Sequence, residues 1–404
     1  MGRYGLIGEK LGHSFSPRIH AILGDYEYRL YPMPPEAVGP FMRENALDAF
    51  NVTVPYKETV MPYLAGVSDE ASRIGSVNTV VRGPDGLLYG HNTDSFGFLR
   101  MLGDVSHLRA KKAVILGSGG SSKAVFAALY DAGMCPIVIS RTGEDNYQNL
   151  DRHKDAVLVV NTTPVGMYPN VDQAPVDLTA FPACVRALDL IYNPLRTRFL
   201  LQAEALGIEA RNGLTMLVAQ AARASVLFGA RAPGGDPTEL IANRLSREAR
   251  SIALIGMPGS GKSSVGRAVA RRMNRAFYDV DEMIAQEIGM PIPEFFALRG
   301  EQAFRAAESR ALQQAAREPG CVIATGGGIV TVPGNRAILM QNCACVQIER
   351  SLADLPSSGR PVTQKRGVEA LYRERKPLYD MWSEKTYDNR DIEDTARRIV
   401  EDYA

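Results

Sequence analysis

Short β-branched runs alternate with helix-period stretches along the whole chain, which predicts an α/β architecture. Strands are expected at 3–7, 26–30 and 49–54, then a hairpin with arms 78–82 and 87–91 across the turn Gly83-Pro84-Asp85-Gly86. Further strands are expected at 112–116, 136–140, 156–161 and 185–190, with a long helix over 214–228. After the loop-like APGGDP (232–237), a shorter helix at 238–245 ends in the charged stretch SREAR, and a strand at 251–255 restarts the pattern. The strands at 112–116 and 251–255 both run directly into Gly-rich turns, but the two turns differ in kind, which argues against an internal repeat. The main boundary is expected at 247–250, without a Gly/Ser or Pro-rich spacer.

At 404 residues the chain has room for two to three domains, taking ~150 residues per domain. Its 46 Lys+Arg against 45 Asp+Glu remove the usual electrostatic reason to expect nucleic acid or an anionic membrane as partner. No apolar run reaches the ~18 residues of a membrane span. The start, MGRYGLIGEKLGHS, reads as a strand and a Gly-rich turn rather than a basic stretch leading into an apolar one. Leu6 stands where a myristoylation pattern needs Ser or Thr. The cysteines, Cys135, Cys184, Cys321, Cys343 and Cys345, are few and odd in number, so reduced buried thiols are expected rather than disulfides or zinc. These features predict a cytoplasmic protein and leave its oligomeric state, monomer or homodimer, open.

The segment KKAVILGSGGSSKAVFAALYDAG is a strand, a Gly-rich turn and an amphipathic helix. Gly117, Gly119 and Gly120 would let the backbone approach a pyrophosphate at the helix N-terminus. Ser122 takes the place of the third glycine of a G-x-G-x-x-G fingerprint. The strand that follows ends in Ser140-Arg141-Thr142, where an NAD site would carry an acidic residue; a guanidinium and a hydroxyl suit the 2′-phosphate of NADP. An ordinary solvated arginine is the alternative, and Glu144 and Asp145 lie close by.

The second Gly-rich turn, Gly256 to Ser263, is G-x-x-x-x-G-K-[ST] between a strand and a helix. Backbone N–H groups around Gly259, Ser260 and Gly261 would cradle ATP phosphates, Lys262 would reach the outer ones, and Ser263 would bind Mg²⁺. Carboxylates at Asp279 and Asp281, on alternate residues beside this loop, invite separate roles. The stretch 250–404 is too short for a protein-substrate lobe, which points to a small-molecule kinase.

Nine segments, HSFSP, NVTVPYK, SVNT, HNTD, GSGGSS, SRT, NTTPVGM, DLIYNP and GLTMLVAQ, occur in order across 1–247, and together they resemble shikimate dehydrogenase. The resemblance implies a two-domain dehydrogenase, with a substrate domain of 1–95 plus 213–247 and a Rossmann-type NADP domain of 96–212. It makes Lys57 and Asp94 the catalytic pair. A lysine ammonium beside a ketone oxygen can stabilise the developing charge and supply the proton. It puts Ser14 and Ser16 on the substrate carboxylate, Thr53, Asn78 and Gln220 on ring hydroxyls, and Tyr192 at the rim. Gly117, Gly119, Gly120, Ser121, Ser140, Arg141, Thr142 and Gly213 would hold NADP. His13 and His91 are read as local hydrogen-bonders. The family often has a second basic residue after the Arg-Thr pair, where this chain has Gly143-Glu144-Asp145-Asn146.

Residues 250–404 resemble shikimate kinase, a P-loop fold with a parallel sheet. Ser264 would join the ATP site, and Asp279 would join Ser263 around Mg²⁺. Asp281 would contact the attacking hydroxyl, and Arg305 and Arg375 would clamp the shikimate carboxylate beside Gly327. Arg360, in a lid at 352–368, would reach the ATP phosphates. The two resemblances imply a bifunctional chain that reduces 3-dehydroshikimate to shikimate with NADPH, then phosphorylates shikimate to shikimate 3-phosphate with ATP and Mg²⁺. Two rivals stand beside this reading: an NAD-using quinate/shikimate dehydrogenase fused to the same kinase, and a chain in which one half is a non-catalytic regulatory module.

Overall fold

Each predicted apolar run becomes a strand within two or three residues of its expected ends, and the strands sort into three sheets. A computed structural model describes residues 2–12, 14–44, 47–229, 235–355 and 366–404. His13, Arg360 and most of the predicted lid lie outside the described residues, as does part of the 232–237 loop.

The first sheet holds β1 (Tyr4–Gly8), β2 (Tyr28–Pro32), β3 (Ala49–Val52), β4 (Gly66–Val67), β5 (Thr79–Arg82) and β6 (Leu88–His91) in the order β2-β1-β3-β5-β6-β4. It is mixed: β5 runs antiparallel to both β3 and β6, while β1 pairs in parallel with β2 and β3. The hairpin places Asn78 and Asp94 just outside its two arms. Ile7, Phe50, Val52 and Val80 form its core with Val38, Met42 and Tyr56.

The second sheet is wholly parallel, with β7 (Lys112–Leu116), β8 (Cys135–Ile139), β9 (Leu158–Asn161), β10 (Arg186–Asp189) and β11 (Glu209–Arg211) in the order β11-β10-β9-β7-β8. The order reverses at β7, so the Gly-rich turn after Leu116 leaves the sheet at its switch point, where doubly wound folds bind nucleotides. Directly after β8 the chain makes an isolated bridge, Ser140 to Asn146.

The third sheet is also parallel, with β12 (Ser251–Ile255), β13 (Phe277–Asp279), β14 (Val322–Ala324), β15 (Cys343–Glu349) and β16 (Lys385–Asp388) in the order β13-β14-β12-β15-β16. All five residues of β12 are buried, as a central strand covered on both faces requires. The second Gly-rich turn leaves this strand, again at a switch point.

The chain divides into two compact units. One comprises Met1–Val165, Ala174–Tyr192 and Gln202–Arg244; the other comprises Gly166–Gln173, Asn193–Leu201 and Leu245–Ala404. The last change of unit falls at Arg244/Leu245, and the second unit also takes in two short segments from before residue 202. Within the second unit, the Tyr168 hydroxyl donates to the Ala316 carbonyl at 2.7 Å and Gln341 donates to the Val171 carbonyl at 2.7 Å. The helix expected to end at residue 245 runs from Thr238 to Ala249, so the first four residues of SREAR are helical and only Arg250 separates the helix from β12. Buried Ile241, Leu245 and Ala249 share one helical face, which carries the helix through the charged stretch.

β11 was not expected, because its sequence Glu-Ala-Arg has no apolar alternation. It forms by parallel pairing to β10, with Arg186 Nε 2.8 Å from Glu209. All five cysteines are free thiols, but Cys135 is exposed, at the open edge of β8. Burial pushes the Cys184 and Cys321 thiols up to about 11, so both stay neutral. Among the described residues no helix is long and apolar enough to cross a membrane.

Candidate active sites

In the first unit, Lys57 lies on the turn that follows β3. The Tyr56 hydroxyl anchors that turn by donating to the Met33 carbonyl at 2.6 Å, and the Lys57 carbonyl accepts from the Val77 N–H at 2.9 Å. Asp94 opens the helix Asp94–Leu102 directly after the hairpin, where the helix dipole favours a carboxylate. Lys57 Nζ lies 2.6 Å from Asp94 Oδ2, and the two side chains are 12% and 7% exposed. A pair this buried needs further hydrogen bonds to offset its lost hydration. Asn78 supplies one, donating from Nδ2 to Asp94 Oδ1 at 2.8 Å. Its orientation is set because Asn78 Oδ1 accepts the Thr93 N–H at 2.8 Å. Beneath it, Asn51 donates to the Asn78 carbonyl and to Thr79 Oγ1, and accepts from the Tyr28 hydroxyl at 2.7 Å.

Gln220 reaches this network from the helix Leu214–Leu227, with Thr93 Oγ1 at 3.4 Å from its Oε1. That helix packs closely on Asp94–Leu102 at Gly97, where a Cβ would lie 2.7 Å from the Met216 carbonyl oxygen. Ser14 and Ser16 form a second group at the start of the helix Ser16–Leu23, where the Ser16 N–H donates to Ser14 Oγ at 3.2 Å. The Phe15 ring between them packs on Tyr192 with centroids 5.2 Å apart. Burial raises the Tyr192 hydroxyl's pKa, against a hydrogen bond to the Phe15 backbone. Thr53 sits over Gly8, where a Cβ would come 2.6 Å from its methyl.

The glycine turn meets the same lysine. A Cβ at Gly120 would lie 3.2 Å from Ser76 Oγ and 3.7 Å from Lys57 Cδ, so the helix Gly120–Asp131 begins against Lys57. Gly117 has φ +105° and its missing side chain would strike Thr162 and Thr163 at 2.9 Å, while Gly119 faces open space. Ser121 is half-buried beside it, and Ser122 is buried in the helix. At the end of β8, Ser140 Oγ accepts the Gly143 N–H at 2.8 Å. Arg141 and Thr142 are exposed, whereas Asp145 is held by His153 Nε2 at 2.9 Å. Gly213 has a structural reason of its own, since a Cβ there would lie 2.1 Å from the Leu190 carbonyl oxygen. His91 is a half-buried ring whose pKa is lowered by burial and then by Arg223.

In the second unit a cavity of about 720 Å³ is lined by Gly259, Lys262, Ser263, Asp281, Arg305 and Arg375, among others. Lys262 is folded over its own loop, donating to the Gly256 and Met257 carbonyls at 3.0 and 2.8 Å. Gly261 has φ +96°, and Asn389 Nδ2, which donates to the Ser260 carbonyl at 2.7 Å, fills the space of its missing side chain. Ser263 and Ser264 open the helix Lys262–Met273 with exposed side chains. Asp279 is buried at the end of β13 and caps the next helix: its Oδ1 accepts the Asp281 and Glu282 N–H groups at 3.1 and 3.4 Å.

Arg305 pairs with Glu308 at 2.7 Å and with Glu301 at 3.2 Å. Burial alone would lower its pKa, and the two carboxylates outweigh that and raise it. Glu308 is wholly buried, and burial raises its carboxyl against the pull of Arg305. Arg375 donates to the Gly327 carbonyl at 3.0 Å, and the Tyr379 hydroxyl donates to the same oxygen. The glycine run is dictated by crowding. A Cβ at Gly326 would lie 2.4 Å from Glu308 Oε1, at Gly327 2.5 Å from Pro258, and at Gly328 2.1 Å from Arg305 Nη1. Among the described residues, Glu308 Oε1 and the Nε atoms of Arg305 and Arg375 have no hydrogen-bond partner, polar atoms left for a ligand.

Glu308, Tyr379, Asn389 and Arg350, the last also on the cavity wall, are site residues that the sequence reading missed. Glu308 was findable, standing three residues after Arg305 on one helix face.

Comparison with known proteins follows the same division. Residues 6–80 match the family model for the shikimate dehydrogenase substrate binding domain, and residues 258–404 match that for shikimate kinase. The chain is 39% identical over 247 residues to a shikimate dehydrogenase (NADP(+)) of Clostridium beijerinckii, covering 56% of this chain and 91% of that protein. It is 39% identical over 269 residues to the enzyme of that name from Oleidesulfovibrio alaskensis, covering 60% and 95%. Among solved structures, it resembles the shikimate 5-dehydrogenase of Thermus thermophilus in complex with NADP(H) and shikimate. The TM-score is 0.54 at 35% identity, over 60% of this chain and 99% of that one. A chorismate mutase/shikimate 5-dehydrogenase fusion protein from Clostridium acetobutylicum gives a TM-score of 0.55 at 36% identity, over 61% and 97%.

Proposed function

Because the chain belongs to the shikimate dehydrogenase family and matches the shikimate kinase family over residues 258–404, we propose a bifunctional enzyme that reduces 3-dehydroshikimate to shikimate and phosphorylates shikimate on its 3-hydroxyl. The observation that carries the reading is the buried Lys57–Asp94 pair beside the glycine turn. A site with that pair can protonate an alkoxide as it forms.

The residues around the first site fit NADPH: Gly119 faces open space at the helix start, and Arg141 stands exposed at the end of β8. When bound, NADPH supplies the hydride for the ketone carbon. Lys57 gives its ammonium proton to the carbonyl oxygen and regains one from water, while Asp94 keeps the ammonium aimed. Ser14 and Ser16 bind the ring carboxylate. Thr53, Asn78 and Gln220 take the hydroxyls with Tyr192 at the rim. Gly117, Gly120, Ser121, Ser140, Thr142 and Gly213 complete the NADP site.

For the second reaction the donor set suits Mg²⁺, which takes hard oxygens from one or two side chains and the substrate phosphates. Ser263 offers a hydroxyl, and Asp279 keeps Oδ2 outside its cap. Bound Mg²⁺ neutralises phosphate charge. Gly259, Ser260, Gly261, Lys262 and Ser264 hold ATP. Asp281 orients the attacking hydroxyl and accepts its proton. Arg305 and Arg375 take the shikimate carboxylate beside Gly327, and Arg360 belongs to the ATP site. The free thiols suit the reducing cytoplasm.

Two assays test the reading: NADPH oxidation with 3-dehydroshikimate, and ATP consumption with shikimate. The first compared with NADH settles the coenzyme, and silence in either assay removes that activity.

A further inference from the structure

The cations on the wall of the second unit's cavity are not equally committed. Lys262 bonds to two carbonyls of its own loop, Arg305 to two carboxylates, and Arg375 to the Gly327 carbonyl. Arg350 lines the same cavity, is exposed, and forms no hydrogen bond or ion pair among the described residues.

Its position follows from the sheet register. β15 runs parallel to β12 with Gln347 opposite Ile255, so the next residues of the two strands leave the sheet side by side. Contact there is close, since a Cβ at Gly256 would lie 2.3 Å from the Ile348 carbonyl oxygen. Two residues further on, Arg350 stands beside the start of the phosphate-binding turn. Its other flank borders a smaller cavity of about 230 Å³ with Tyr372 and Tyr379. The carboxylates on that flank are taken: Glu349 pairs with Lys376 at 2.9 Å and Asp388 with Arg390 at 2.7 Å.

We propose that Arg350 is a catalytic residue of the kinase that contacts the phosphates of ATP. The inference rests on the kinase reading above. A polyanionic nucleotide needs positive charge that the protein has not already compensated, and the charge of Arg305 is largely offset by buried Glu308. A guanidinium presents several N–H donors in one plane, matching phosphate oxygens in pairs. Charge on a transferring phosphoryl group spreads over its peripheral oxygens, and a cation placed there stabilises it.

The test uses the full chain with Arg350→Ala and Arg350→Lys, both checked for wild-type thermal unfolding. Calorimetric titration with Mg-ATP reads nucleotide affinity directly, and initial rates with ATP and shikimate varied separately give the two sets of constants. For Arg350→Ala we expect ATP affinity and kcat/KM for ATP to fall roughly 10- to 100-fold, the scale of a lost hydrogen bond to a charged group. Arg350→Lys should recover part of the affinity, and shikimate binding without nucleotide should not change. Unchanged ATP affinity and kcat/KM overturn the proposal. So does a loss confined to the shikimate constants, which would place Arg350 on the acceptor. If Arg350→Ala unfolds early, Arg350→Gln and Arg350→Lys decide by the same constants. A wild-type protein that binds ATP without phosphorylating shikimate would sink the acceptor reading and leave the affinity comparison decisive. One that does not bind ATP sinks both.

Discussion

Lys57 Nζ is 2.6 Å from Asp94 Oδ2, and the other Asp94 oxygen is held by Asn78 at 2.8 Å. The carboxylate is thus fixed from two sides, and it fixes the ammonium in turn. The Thr93 N–H decides which way the Asn78 amide faces, so the backbone at the helix start reaches Lys57 through two side chains. The arrangement holds a proton donor still in a site where hydration cannot.

Lys57→Ala should lower kcat for ketone reduction by about 10²–10⁴-fold, the usual scale for losing a general acid. Phosphorylation of shikimate by the same variant should stay near wild type, because Lys57 belongs to the first compact unit and the proposed ATP site to the second. Asp281→Asn should do the reverse. Steady-state rates of both reactions on each variant check this, and a reductase that survives Lys57→Ala refutes the assignment.

Arg141 is exposed at the end of β8, and the nearby Asp145 is occupied by His153. The guanidinium is therefore available to a 2′-phosphate. Arg141→Ala should raise KM for NADPH by roughly 10- to 100-fold, as expected for a lost charge-assisted hydrogen bond. Weak activity with NADH should hardly move. A wild-type enzyme that prefers NADH would favour the rival coenzyme reading.

The sites were readable where chemistry sits in short runs: N-V-T-V-P-Y-K carries Lys57, H-N-T-D carries Asp94, and the glycine turns lie directly after β7 and β12. Thr79 links Asn51 to Thr93 across the sheet, and only the β3–β5 and β5–β6 pairings show that the three meet. Arg350 gave no signal at all, since one arginine after an apolar strand looks like any solvated charge. The Gly326–Gly328 run was visible, but not the crowding by Pro258, Glu308 and Arg305 that excludes side chains there. The extension of the Thr238–Ala249 helix was legible in the spacing of Ile241, Leu245 and Ala249, yet the charges of SREAR masked it.

Gly328→Ala tests that crowding. A Cβ at this position would lie 2.1 Å from Arg305 Nη1, and Arg305 cannot simply retreat because Glu308 holds it at 2.7 Å. The guanidinium must turn away from its place on the cavity wall. We expect KM for shikimate to rise about tenfold or more, the scale of one weakened charge-assisted hydrogen bond, with ATP affinity little changed. Equal losses for both substrates would show a general disruption of the site instead.

His20 gives the first unit a pH-dependent stability. It is fully buried, its Nδ1 lies 2.7 Å from the Tyr26 hydroxyl, and its ring stacks on Tyr28 at 3.8 Å. Burial lowers its pKa to about 3, against a smaller opposing effect of Asn51. The unfolded chain, with an ordinary histidine pKa near ~6.5, binds the proton first as pH falls. Stability from the neutral ring is therefore full above about pH 6.5 and is lost progressively toward pH 3, at up to roughly 1.4 kcal/mol per unit. Between pH 7 and 5 the wild type should lose about 2 kcal/mol more than His20→Gln, which cannot titrate. The single tryptophan, Trp382, lies in the second unit, so its fluorescence is the wrong probe. Urea unfolding followed by hydrogen exchange at the β1 and β3 amides reads the first unit directly. Parallel pH dependences for the two proteins would show that His20 carries no such burden.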